Sequence, residues 1–489
     1  MPLTSNKSKP HARPVVPKQA GSRRTALARG WRKSLYLLGI RLRQRFLRFT
    51  AGGRWTEQLP PSVRRNLCWF WFDGVFAQAS DTIVIAYLPL FVLALGGTRA
   101  QIGLMSALSS LSAALLLLPG AAIVERWGRR KQVCVLSGGG VSRVALLLLA
   151  LAPLIFAGPT AVYIAIALAA ARGAFANLGL PAWVSLTADV VPLTWRGRYF
   201  SSRSMTMQVA GMVVTYLVGQ LINRAGAPAG YQLAMGLAFA IGMASTLSFA
   251  HIKEPSTSAI PQATDCGLRM PLLRHLRAHP DFLAFCATAA LWNFSINVAG
   301  PFFNVYLVES LKASAGVVGA LSVVGGLAAL PGQRLFGTLV DRWGPRRVQL
   351  IIGLLIPLLP WAWALTRSPW HVVPINLAGG FLWAGYGLSN FNFLLTLTPE
   401  NRRARYSALY QIVVMLALAG GAALSGVIAA RWGYTTIFVL SGIGRLSAAL
   451  LFARFVYQTV SPSAAGPDES EPDSNVLAAP TSPGRTAGR

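Results

Sequence analysis

Segments of mostly apolar residues, each long enough to cross a lipid bilayer, recur from about Leu67 to about Tyr457. A spanning α-helix needs roughly 20 such residues, and about twelve segments reach that length. The chain is 54% hydrophobic and only 12% charged over 489 residues, which excludes one compact water-soluble domain. The sequence therefore predicts an all-α membrane protein with spans at 68–95, 100–124, 132–156, 160–188, 200–223, 229–252, 281–310, 315–340, 348–366, 371–396, 406–430 and 435–457.

Basic residues outnumber acidic residues by 45 to 15, and their placement decides what this excess means. They do not gather on one domain face, so a nucleic-acid partner is not indicated. Many precede the first span, and most of the others lie in alternate short loops. This alternation is the positive-inside pattern. It predicts a multi-pass protein of the inner (plasma) membrane with both termini in the cytoplasm.

Composition changes along the chain predict five regions. Residues 1–66 form a basic cytoplasmic tail, in which segment 31–49 has the spacing of an amphipathic helix suited to anionic lipids. A solvated basic linker is the alternative for that segment. The other regions are a six-helix bundle at 67–252, a cytoplasmic linker at 253–280, a second six-helix bundle at 281–458 and a disordered tail at 459–489.

The two predicted bundles repeat each other. Val124-Glu-Arg-Trp-Gly-Arg-Arg aligns with Val340-Asp-Arg-Trp-Gly-Pro-Arg at a shift of 216 residues. The second copy extends from Gly337 to Arg347 and resembles the loop motif G-x-x-x-D-R-x-G-x-R-[RK] of the major facilitator superfamily. The first copy departs from that motif, because Glu125 replaces the aspartate and Gly120 lies one residue too far upstream.

This resemblance implies twelve transmembrane helices in two pseudo-symmetric six-helix bundles, with helices 1, 4, 7 and 10 around a central cavity. It also implies that the motif loops tie helix ends together in one access state. The alternative is that their basic residues only fix topology. The gating residues carried over are Glu125, Arg126, Gly128, Arg129, Arg130, Gly337, Asp341, Arg342, Gly344, Arg346 and Arg347.

Charged residues at membrane depth are the strongest functional signal, because each costs about 3 kcal/mol or more to insert near the bilayer centre. Asp73 and Asp81 lie in the first span and Arg172 in the fourth. The resemblance places Asp81 and Arg172 in one hydrated space, where a carboxylate can bind and release a proton. A static ion pair is the alternative. The predicted proton-coupling residues of the central cavity are Asp81, Arg172, Asp73 and Gln78.

Other polar residues lie within the spans. Arg143 and Arg445 fall on helices 3 and 12, which are peripheral in the family, so packing or snorkelling is expected of them. Six further residues on helices 7 and 10 are candidates for substrate contact, although polar side chains also join helices to each other. These candidates are Asn293, Asn297, Asn304, Tyr386, Asn390 and Asn392.

No sequence signature of an enzyme occurs, and the four cysteines are scattered without metal-ligand spacing. We therefore expect neither a catalytic residue nor a cofactor nor a metal. The predicted function is secondary active transport of a small solute by a monomer, with alternating access and proton coupling. The alternatives are a passive uniporter or lipid flippase, and a membrane receptor or scaffold that transports nothing.

Overall fold

The computed structural model describes residues 58–254, 280–398 and 403–456. The first half contains α1 (Pro61–Ala94), α2 (Arg99–Trp127), α3 (Arg130–Ile155), α4 (Gly158–Leu178, continued by Leu180–Val190), α5 (Arg196–Ala225) and α6 (Ala229–Ala250). The second half contains α7 (Pro280–Glu309), α8 (Ala315–Trp343), α9 (Pro345–Leu355, continued by Leu358–Ala364), α10 (Val372–Leu397), α11 (403–432) and α12 (434–455). The predicted amphipathic segment 31–49, most of the linker and the C-terminal tail lie outside the described residues.

Ten helices of the described residues are long and apolar enough to cross a membrane. That count treats 409–455 as one helix and omits α10. Gly433 has φ 79° and ψ −177°, which breaks the long helix into α11 and α12. Helix α10 is 26 residues long and contains no charged side chain. The described helices therefore account for all twelve predicted spans.

Local sequence signals fix several helix ends. Thr98 begins α2 with a capping box, in which Gln101 N–H donates to Thr98 Oγ1 at 3.3 Å. Gly128 ends α2 at φ 63° and Gly344 ends α8 at φ 78°. A backbone of positive φ favours glycine, so both motif glycines stand where the chain must turn sharply after a span.

The outer faces of the helices expose large apolar side chains. Leu115 on α2 is 63% exposed and Leu217 on α5 is 57% exposed. Such surfaces are unfavourable in water and are stable against acyl chains. The exposed faces therefore agree with a protein whose solvent is lipid.

The two halves meet along two helix pairs, since α2 packs on α11 and α5 packs on α8. One hydrophobic cluster contains residues of both halves. It lies at the end of the molecule where α1 ends and α2 begins. We call this the joined end. At the opposite end, called the divided end, each half has its own cluster. Hydrogen bonds from Asn304 to the carbonyl of Ala86 (3.2 Å) and from Asn223 to Ser314 (3.1 Å) also connect the halves at the joined end.

Candidate functional site

Asp81 forms the centre of a charge cluster inside the first half. Its Oδ1 accepts a hydrogen bond from Arg172 Nη2 at 2.6 Å and another from Arg143 Nη1 at 2.9 Å. The Asp81 side chain is 41% exposed, whereas those of Arg172 and Arg143 are 18% and 10% exposed. The structure thus brings Asp81 and Arg172 together, as expected from their depth in the sequence.

Arg143 was expected to pack or to snorkel, and the structure shows it buried as an ion-pair partner of Asp81. Arg143 Nη1 also contacts Ser80 Oγ at 3.1 Å, and Ser80 in turn donates to the carbonyl of Ala238 at 2.7 Å. Gly242 on α6 leaves the space that the Arg143 side chain occupies, since a Cβ there would lie 3.0 Å from Arg143 Nε. The missing side chain lets an arginine on peripheral α3 reach past α6 to α1.

Asp73 lies deeper in the packing than Asp81 and is only 6% exposed. Ser245 Oγ donates to its Oδ1 at 2.7 Å, and Arg203 Nη2 lies 3.5 Å from its Oδ2. Arg203 is held in place because its Nε donates to the carbonyl of Phe70 at 3.1 Å and its guanidinium stacks 4.1 Å from the Phe70 ring centre. Gly74 leaves room for that guanidinium.

Both carboxylates and the arginines Arg143, Arg172 and Arg203 line one cavity of about 290 Å³. Helix α3 forms part of its wall through a π-helical segment, Val135–Val141, which contains three consecutive glycines. Segments of this kind are frequent at functional sites. Three guanidiniums against two carboxylates give the cavity a net positive charge when all are ionised.

Sequence reasoning missed three parts of this cavity. Arg203 lies near the predicted start of the fifth span, where a basic residue looks like part of the membrane interface. Ser245 on α6 carries no charge and so gave no signal at all. The glycine run at 138–140 was the available clue to the π-helical wall. Gln78 packs near Gly211 of α5 and is not among the residues that line the cavity.

The structure does not bring the six substrate-contact candidates of helices 7 and 10 to one site. Asn304 lines a second cavity of about 350 Å³ in the second half, and Tyr386 lines a separate one of about 20 Å³, where it stacks 4.8 Å from Trp292. Asn390 exchanges hydrogen bonds with Tyr410. The other three amides donate to backbone carbonyls. Asn293 and Asn392 each donate to the residue four positions earlier in the same helix. Asn297 donates to Leu418 and so joins α7 to α11. Their role in substrate contact stays a prediction.

The loop-motif residues separate into buried and exposed groups. Arg130 is buried and donates to Asp189 at 2.6 Å and to Glu254 at 3.0 Å. Arg346, its equivalent in the repeat, donates to the carbonyl of Val456 at 2.7 Å. The side chains on the exposed side are Glu125, Arg126, Arg129, Asp341, Arg342 and Arg347.

Two six-helix halves that are joined at one end, with buried charges facing a cavity inside the first half, define a polytopic membrane transport protein. The chain belongs to the major facilitator superfamily, whose family model, described as Major Facilitator Superfamily, matches residues 70–297 and 283–483. It is a transporter and not an enzyme.

Curated relatives extend over most of the chain at low identity. Multidrug resistance protein MdtG of Serratia proteamaculans (strain 568) is 24% identical over 390 residues, which cover 78% of this chain and 91% of the relative. Multi-drug resistance efflux pump PmrA of Streptococcus pneumoniae serotype 4 is 23% identical over 389 residues, or 77% of this chain and 92% of the relative. The chain is therefore distantly related to multidrug efflux pumps.

Solved structures confirm the fold. The nucleoside transporter NupG superposes with a TM-score of 0.62 at 14% identity and covers 80% of this chain and 99% of its own. The xylose transporter XylE from E. coli, in an inward open conformation, superposes with the same score at 16% identity and covers 80% of this chain and 96% of its own.

Proposed function

We propose that this protein is a secondary active transporter that moves a small solute by alternating access and couples that movement to protons at Asp81. The observation that carries the proposal is the position of Asp81, which lies at membrane depth, is 41% exposed, and accepts hydrogen bonds from both Arg172 and Arg143. A carboxylate changes its affinity for protons when its solvation and its charged partners change. A rearrangement that removed either arginine would therefore couple proton binding to the access state.

The arrangement of the halves supports alternating access. They share a hydrophobic cluster at the joined end and have separate clusters at the divided end, which is the pattern of a transporter closed on one side. The positive-inside pattern assigns the joined end to the outside and both termini to the cytoplasm of a plasma-membrane protein. In this assignment the structure represents an inward-facing state.

The proposed domain organisation follows the sequence. Bundles at 67–252 and 281–458 move as units connected by the cytoplasmic linker 253–280. The tail 1–66 holds segment 31–49 against anionic lipids.

Export of organic compounds is the direction that the curated relatives favour, since their names are those of a multidrug resistance protein and an efflux pump. Deletion of the gene followed by growth on a panel of toxic compounds tests this. Compounds to which the deletion strain is more susceptible identify exported solutes. Reduced uptake of a nutrient in that strain would instead indicate import.

Transport by purified protein in proteoliposomes, with and without an imposed pH gradient, tests the coupling. A solute from the growth panel should accumulate with the gradient in wild type. D81N should abolish that accumulation while retaining solute exchange, and D81E should restore part of it. Full accumulation by D81N would show that coupling does not use Asp81. Solute transport by wild type that is independent of the pH gradient would favour the uniporter or flippase. Absence of solute transport would favour the receptor or scaffold.

A further inference from the structure

Arg445 is a buried arginine near the middle of α12. Eleven residues separate it from the start of the helix, which places it about 16 Å from each end. Its exposed fraction is 2%. A guanidinium at this depth is expected to have an acidic partner or to face a polar cavity.

Arg445 has no acidic partner in the described residues. Arg130, Arg143, Arg172 and Arg203 each contact a carboxylate. The Nε of Arg445 is buried without a hydrogen bond, as are those of Arg143 and Arg172, but only Arg445 of these five arginines lacks an ion pair there. The sequence explains this difference, because residues 280–460 contain only four acids: Asp281, Glu309, Asp341 and Glu400. The first three lie at helix ends, and Glu400 lies outside the described residues. No acid of α7 to α12 lies at the depth of Arg445.

The Arg445 side chain instead lines the cavity of about 350 Å³ in the second half. Trp363 and Trp383 form aromatic walls of this cavity, and Asn376 and Ser322 add polar groups. The Arg445 guanidinium lies 6.0 Å from the Trp383 ring centre. An apolar pocket of this size with a few polar groups is typical of small-ligand sites.

We propose that Arg445 binds the acidic group of the transported solute, so that the substrate is a small organic anion with an apolar or aromatic body. A guanidinium is the side chain best suited to paired hydrogen bonds with a carboxylate, sulfonate or phosphate. The tryptophan walls accept the apolar body. This inference rests on the proposed transport function and adds the substrate class to it.

Buried charge throughout the molecule agrees with an anionic solute. The cavity of the first half holds three arginines against two aspartates, and the cavity of the second half holds Arg445 alone among charged residues of its lining. Both cavities therefore repel organic cations and attract anions. A lipid headgroup offers the same acidic chemistry, but headgroups lie at the membrane surface and not at the depth of Arg445.

Binding to the full chain purified in detergent tests the proposal by isothermal titration. The probes are benzoate, benzenesulfonate and phenylphosphate, compared with neutral benzamide and cationic benzamidine. Wild type should bind at least one anion and neither control. R445Q should weaken that binding at least tenfold, and R445K should weaken it less. R431Q removes an exposed arginine of α11 and should bind as wild type does.

The proposal would be overturned if no anion bound wild type, if benzamidine or benzamide bound equally well, or if R445Q retained full affinity. Stabilisation by phosphatidylglycerol but by no aromatic anion would also overturn it, since the ligand would then be a lipid. Thermal unfolding distinguishes a ligand-binding role of Arg445 from a structural one. If the ligand-free protein buries Arg445 as an unpaired charge, R445Q should unfold at or above the wild-type temperature. A clear fall would contradict the proposal. The titration applies no pH gradient, so absence of anion binding reports failure of this site alone. Gradient-independent transport by a protein that still binds the anions reports failure of the proton coupling alone.

Discussion

Arg130 and Arg346 occupy equivalent positions in the repeat and attach the start of the third helix of each half to neighbouring elements. Arg130 joins α3 to Asp189 at the end of α4 and to Glu254 after α6, at 2.6 and 3.0 Å. Arg346 donates to backbone carbonyls at the end of α12 instead. The positive side chain of Arg346 also interacts favourably with the negative, C-terminal end of the α12 dipole. The repeat thus conserves the position of a cation while its partners differ.

R130Q should lower the free energy of unfolding by about 2 kcal/mol, because it leaves two carboxylates without their shared cation. The expected loss is below that for a fully buried pair, since Asp189 and Glu254 are each 31% exposed. Thermal unfolding in detergent measures it. R129Q alters the adjacent exposed arginine and should change stability by less than about 0.5 kcal/mol. Equal unfolding temperatures for the two variants would contradict this role of Arg130.

A contact between two buried side chains could be predicted from the sequence only where their opposite charges alone determined it. The pairing of Asp81 with Arg172 was predictable, because two opposite charges at one depth of a membrane bundle stabilise each other. The approach of Arg143 to Asp81 was not, because it requires the absence of a side chain at Gly242 on another helix. This contact depends on the space between three helices, so the sequence pattern of a single helix does not predict it.

Helices α8 and α10 of the second half cross at close range. Helices α8 and α10 approach so closely that a Cβ on Gly380 would overlap the backbone carbonyl of Gly325. G380A should therefore destabilise the protein by about 1–3 kcal/mol, since a backbone atom cannot move aside as a side chain can. G379A is the matched control, because its Cβ would meet only Leu359 Cδ1 at 3.7 Å. Thermal unfolding that ranked G379A as the less stable variant would contradict the assigned crossing.

Helix positions were predictable to within several residues, because a span is set by apolar length alone. The predicted second span, 100–124, corresponds to Arg99–Trp127, and the predicted sixth, 229–252, to Ala229–Ala250. The π-helical segment Val135–Val141 was not predicted. Apolar periodicity does not distinguish an i→i+5 turn from an α-helical one over so short a stretch.

The whole molecule is held in its present state partly by polar contacts at the joined end. Arg99 on α2 donates to Glu309 on α7 at 2.5 Å, and its guanidinium lies 4.4 Å from the Tyr434 ring centre on α12. Tyr434 also donates a hydrogen bond to Glu309. These three residues, the Arg99 cluster, connect the two halves where the access path of a state open at this end would begin.

R99Q should shift the population toward a state separated at the joined end. Because Arg99 and Glu309 are about one-third exposed, their ion pair contributes about 1 kcal/mol, which corresponds to about a fivefold change in the population ratio. Spin labels on exposed positions 229 and 367, in a background without the four native cysteines, report the distance between the halves at this end. The variant should enlarge the long-distance population relative to wild type. R431Q removes an exposed positive charge at the same end and should leave the distribution unchanged. If both variants gave the wild-type distribution, the hydrophobic cluster shared by the halves would hold this end closed without help from the Arg99 cluster.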